Sequence, residues 1–183
     1  MNRPTFVLAC LLFLGLNFQI ALSQDASSKV AEREKSNLEK FSLRSGTLVE
    51  KNFTDLGVIK TIQVQSLRVT DLLTKASFSG IRFEQATSNR YRSANITFLD
   101  QDEIDGLAKS IRYILDTVMS SRKPGYTEIQ FTSRGGFALG CYSEAKGWQP
   151  YIQISKYDKE SMLTLFSSDL NELLLLLDKT KSK

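Results

Sequence analysis

The sequence predicts an α+β fold in which antiparallel sheet carries two helices, laid out as a ββββα unit followed by a second one. Three observations predict it. Eight short runs have apolar residues near every second position, the period of half-buried strands. After the fourth and the eighth run the period lengthens to i, i+3, i+4, i+7, the stripe of an amphipathic helix. Two short echoes then relate the halves: FTDLG (53–57) with FTSRG (131–135), and ITFLDQDEI (96–104) with LTLFSSDLN (163–171).

The first four strands are expected over TLVEKNF (47–53), VIKTIQVQSLRV (58–69), KASFSGIRFEQ (75–85) and SANITFL (93–99), with turns at TDLG and TDLLT. The alternation slips between Val64 and Leu67 and again near Gly80, which suggests bulges. Ile104, Leu107, Ala108, Ile111, Ile114, Leu115 and Val118 form the stripe of the first helix. Asp100 and Glu103 have the spacing of a capping box at its start, and SRKPG should end it near Ser120. The second set of strands is TEIQFTS (127–133), GFALGCYS (136–143), QPYIQIS (149–155) and SMLTLF (161–166). The helix SSDLNELLLLLDKT follows, capped by Ser168 or Asp169, with Leu170, Leu173, Leu174 and Leu177 on its buried face. The units thus fall at about 45–120 and 126–180 of a single α+β domain spanning 45–183.

The chain start reads as an export signal. Arg3 precedes the apolar run FVLACLLFLGL, and ALS (21–23) offers small residues before a cleavage point at Gln24. Asn17 and Gln19 cut the apolar run below the ~20 residues of a spanning helix, so no transmembrane anchor is expected in the mature chain. A lipidated start at Cys10 fits less well, because Leu8 suits a lipidation box poorly and the apolar run continues past the cysteine. Residues 24–44 are charged and sparsely apolar, a flexible or frayed helical lead-in. The expected location is secreted or periplasmic.

Composition removes several function classes. There is no histidine, so Ser-His and Cys-His catalysis and the commonest metal ligand are excluded. Loss of the leader takes Cys10 with it, leaving Cys141 alone and excluding an intramolecular disulfide. A net charge of +4 with both signs interspersed falls short of a nucleic-acid footprint. No catalytic residue, metal ligand or cofactor is assigned.

Four constellations carry what chemistry there is. Phe137, Leu139 and Cys141 share a parity, with Ile129 and Phe131 as expected cross-strand neighbours, which makes the cysteine a small core residue. Gly135 and Gly136 suit a tight hairpin, since a phosphate cradle would open a helix and not a strand. Asp100, Asp102, Glu103 and Asp105 depart from a calcium loop and fit a helix start loaded with acids. Arg90, Tyr91 and Arg92, together with Tyr142, Trp148 and Tyr151, are the ligand-binding candidates, because basic and aromatic residues together can hold stacked rings. Asn52 and Asn95 head N-x-S/T sequons.

The order ββββα twice, over about residues 45–180, resembles the plan of the Whirly and Pur-alpha single-strand nucleic-acid binders. That resemblance implies nucleic-acid binding, which the export signal opposes. SGTLVEKNF, FLDQDEIDGLAKSIRYIL and GGFALGCYS are also similar to stretches of small exported bacterial proteins without an assigned role. The favoured expectation is an exported non-enzymatic module with a protein, glycan or lipid partner. The alternatives are a single-stranded nucleic-acid-binding protein and a metal-dependent enzyme using the Asp100–Asp105 cluster.

Overall fold

The computed structural model describes residues 34–86, 94–145, 147–156 and 158–180. The expected leader, and Arg90, Tyr91 and Arg92, lie outside the described residues. Strands β1 (Val49–Ile59), β2 (Ile62–Asp71), β3 (Ser77–Ala86) and β4 (Ala94–Asp100) form one antiparallel meander. A 3₁₀ turn, Gln101–Glu103, leads into α2 (Ile104–Tyr113), which continues as a π turn over Ile114–Val118. Strands β5 (Glu128–Thr132), β6 (Ala138–Glu144), β7 (Gly147–Gln153) and β8 (Met162–Thr164) form a second meander, and α3 (Ser167–Asp178) follows. The α+β class and the order of strands and helices agree with the sequence reading. A further helix, α1 (Asn37–Ser42), precedes them.

One core joins the two halves. Ile62, Val64, Ile81, Phe83 and Leu99 of the first sheet pack with Leu139, Cys141 and Ile152 of the second, and with the apolar stripes of α2 and α3. Phe83 and Phe137 stack across the halves with ring centroids 4.5 Å apart. Neither sheet could bury its apolar face alone, so each supplies the other's cover.

The slip between Val64 and Leu67 is a change of buried face and not a bulge. Strands β2 and β3 pair without a break from Ile62↔Gln85 to Thr70↔Ser77. Ile62 and Val64 point into the main core, while Leu67 and Val69 point to the opposite face and meet Leu38 and Phe41 of α1. The same holds at Gly80, where the pairing is regular. The one register shift in this sheet lies between Asp55 and Gly57 of β1. β1 therefore runs straight through TDLG, and the hairpin turns at Lys60–Thr61, with Lys60 at φ 53°. Gly57 has φ 154°, and a Cβ there would lie 2.8 Å from Leu176 Cδ2. Its role is close approach to α3, so FTDLG and FTSRG share letters and not a turn.

Helix α1 falls in the stretch expected as a polar lead-in. Six residues cannot sustain a helix in water without tertiary packing. Ser36 accepts from Glu39 N at 3.0 Å, and the Asp100 carboxylate accepts from Asn37 N and Leu38 N, each at 2.8 Å. Leu38 and Phe41 are then 0% and 2% exposed. Burial of two such side chains stabilises by about 1.5–3 kcal/mol each. Two apolar residues in a polar context are too sparse a pattern to reveal this docking.

The helix boundaries shift in detail. Asp100 N donates to Glu103 Oε2 at 3.0 Å, as the capping-box spacing predicts. For α3 the cap is Phe166 and not Ser168 or Asp169. Asp169 stands three residues in, and its Oδ2 accepts from Phe166 N at 2.7 Å. Lys60 pairs with Asp169 at 3.1 Å, which fixes the β1–β2 turn against the helix start. The buried leucines of α3 are 170, 173, 176 and 177. Leu174 is only partly buried, because Leu176 takes the place over Gly57.

Candidate functional site

Local sequence explains the geometry around the glycine pair. Ser133 N donates to Phe137 O at 2.8 Å and Gly136 N to Ser133 O at 3.0 Å, closing a turn in which Gly136 has φ 83°. Gly135 serves a different need. Thr97 donates to its carbonyl at 3.0 Å, and a Cβ on Gly135 would lie 2.5 Å from Phe98 O. The turn is thereby pressed onto β4, beside the acidic cluster.

That placement joins two motifs that looked separate in the sequence. Arg134 Nε donates to Asp100 Oδ2 at 3.0 Å, its Nη2 donates to Asp102, and its backbone N–H donates to Glu103 Oε1 at 2.8 Å. The hydrogen bond it donates to Asp102 comes first in holding the guanidinium above its ordinary pKa. The cluster thus docks α1, the start of α2 and the turn before β6. Among the described residues no group of three or more His, Cys, Asp or Glu is placed to hold a metal ion.

Cys141 occupies the core face of β6, opposite Ile129 and Pro150. It is fully buried, and burial pushes its thiol up to about 11. A thiol that stays protonated at neutral pH is a poor nucleophile.

The aromatic candidates separate onto two faces. Tyr142 and Tyr151 lie on the face of the second sheet opposite Cys141 and Ile152, in a row that Tyr126 extends. Ring centroids are 6.3 Å apart from Tyr126 to Tyr142 and 6.0 Å from Tyr142 to Tyr151. The Tyr151 hydroxyl donates to Glu128 Oε1 at 2.5 Å and accepts from Gln130 Nε2 at 2.6 Å. Burial, followed by the Glu128 carboxylate, pushes the Tyr151 phenol well above its ordinary pKa. Trp148 does not join this row. It stands three residues from Tyr151 on one strand, hence on the other face. It is 9% exposed, and Nε1 donates to Ser121 O at 3.0 Å and to Ser121 Oγ at 3.2 Å.

Trp148 and Tyr126 instead border a groove of about 720 Å³ at one end of the second sheet. Its walls are the segment 121–126 after α2 and the described residues at the facing ends of β6 and β7, with Arg122, Lys123, Ser143 and Glu144 in the lining. Both walls are held from within. Ser143 Oγ donates to Gly125 O at 2.8 Å and accepts from Thr127 N at 2.9 Å, while the Trp148–Ser121 bonds tie the sheet to the end of α2. The Lys-Pro-Gly-Tyr segment has the residue order of a type II turn, and Gly125 has φ 86°. Arg122 and Lys123 are exposed and make no ion pair with a described residue. Tyr126 is 72% exposed and borders the groove. Loss of solvation, then Glu128, hold its phenol above the ordinary value, and Tyr142 and Glu144 add to this.

The sequence reading passed over Arg122, Lys123 and Tyr126, treating SRKPG as a helix stop alone. The available signal was a Pro-Gly turn flanked by two cations and a tyrosine. No family model matches this chain, and no curated protein or solved structure is significantly similar to it.

Proposed function

We propose that this chain is an exported, non-enzymatic binding module whose ligand sits in the groove between residues 121–126 and the facing ends of β6 and β7. The observation that carries this reading is a recess with internally braced walls, an exposed tyrosine ring, and two cations without an ion-pair partner among the described residues. Preformed concavity with a few convergent polar groups is the usual form of a small-ligand site. The side chains that would carry chemistry are committed elsewhere. Asp100, Asp102 and Glu103 are engaged by Arg134, and Cys141 is a buried, protonated thiol. The absence of histidine points the same way. Export rests on the leader-like residues 1–23.

Two measurements test the reading. Protein recovered from the secreted or periplasmic fraction should begin at Gln24, and a full-length cytoplasmic chain would overturn export. In amide NMR titrations against panels of peptides, saccharides and lipids, a binding ligand should move resonances of 121–127 and 143–149. Binding confined to the first sheet would overturn the placement.

A further inference from the structure

Resting on that placement of the site, we infer that the groove takes an acidic saccharide: a pyranose ring stacked on Tyr126, with its carboxylate on Arg122 and Lys123. Each part of the ligand answers a group in the lining. A flat, exposed phenol ring offers an apolar face and a polar rim, which suits the C–H face of a sugar ring. Two exposed cations in succession, with no ion pair to a described residue, leave their donors for an anion, and an arginine fork matches a carboxylate. Glu144, on the facing wall, is an acceptor-only group for sugar hydroxyls.

The same lining argues against a phosphodiester chain. Tracking a nucleic-acid strand calls for a series of cations and a series of free rings. Among the described residues the lining holds two cations together with the Glu144 carboxylate, and the neighbouring tyrosine row carries Glu128. Trp148 is buried with its N–H bonded to Ser121, so it offers no stacking platform. A single carboxylate on a ring rich in hydroxyls satisfies this arrangement, because the cations take the anion and Glu144 accepts from the hydroxyls. A run of phosphates meets two carboxylates.

The test is amide NMR titration of the mature chain with four probes: digalacturonate, the neutral disaccharide lactose, a short oligothymidylate, and inorganic phosphate. Digalacturonate should move the resonances of 121–126 and 143–148 and bind at least tenfold more tightly than lactose. Arg122→Gln/Lys123→Gln should weaken it at least tenfold, and Tyr126→Ala by a similar factor, while Tyr126→Phe keeps most of the affinity. Glu144→Gln should weaken digalacturonate and strengthen phosphate. All four positions are exposed, and preserved spectral dispersion checks that each variant folds. Equal binding of lactose, with no effect of the double substitution, overturns the acidic ligand and leaves the groove as the site. Tighter binding of oligothymidylate or phosphate than of digalacturonate overturns the saccharide. No movement of the groove resonances by any probe overturns the inference, and the peptide and lipid panels then decide whether the groove is the site at all.

Discussion

Asp100→Ala should be the most informative single substitution outside the groove. The carboxylate is almost fully buried and accepts from Asn37 N, Leu38 N and Arg134 Nε. Truncation leaves the buried Leu38 N–H without its partner, and hydrogen bonds to a charged group are worth about 1.5–3 kcal/mol. The Arg134 side chain is 35% exposed and keeps Asp102 and water, so its share is discounted. Loosening of α1 adds part of the burial of Leu38 and Phe41. A loss of about 3 kcal/mol is expected, or about 6–12 °C in Tm for a domain of this size. Thermal and urea unfolding measure the total. Hydrogen exchange at residues 38–43 reports the local part, and those amides should exchange faster than the core strands even where the domain stays folded. Asp102→Asn is the control, since that partner is 68% exposed and should cost less than about 1 kcal/mol. The reasoning fails if Asp100→Ala stays within about 0.5 kcal/mol of wild type, or if both variants lose the same stability.

Gly135→Ala should destabilise by about 1–3 kcal/mol in urea melts, because its Cβ would press on Phe98 O in the backbone of β4. Gly125→Ala meets no atom within 4 Å and should show only the cost of a positive φ, about 1 kcal/mol. Cys141 should be silent to a thiol reagent at pH 8 in the native state and react fully in denaturant. Rapid native labelling would contradict its burial. The Asp71 pKa is held below its ordinary value, first by the Thr74 N–H. Its contribution is therefore full above the ordinary carboxylate range and is lost as pH falls through the lowered folded value. In urea melts wild type should exceed Asp71→Asn at pH 7, with the gap closing toward pH 3; a gap independent of pH would count against it.

Much of the second sheet was legible because strand parity is a local property. Ile129↔Cys141 and Phe131↔Leu139 pair as the alternation predicts, and Tyr142 lies opposite the cysteine face. Parity also held the information that separates Trp148 from Tyr151, three residues away. The first sheet was less legible. A strand covered on one face at one end and on the other face at the other end reads as a broken period, although its pairing never breaks. TDLG looked like a turn because its composition is that of one, yet it continues a strand around a bulge. The groove was hardest to foresee, since its walls come from a helix exit and a hairpin about 20 residues apart.

From its residues alone the chain establishes its α+β class, the order of eight strands and two helices, and the core-facing parity of Cys141. These follow from short-range periodicity and from counts, which need no partner. Tertiary structure decided what meets across distance. It brought Arg134 to the acids at 100–103, docked α1 on Leu67 and Val69, and placed Tyr126 beside Arg122 at a groove closed by Trp148. The physical reason is that an alternation pattern tells a residue which way to point and never what waits there. A buried carboxylate, a lone arginine and a six-residue helix are each costly or unstable apart, and only the folded chain supplies each with the others.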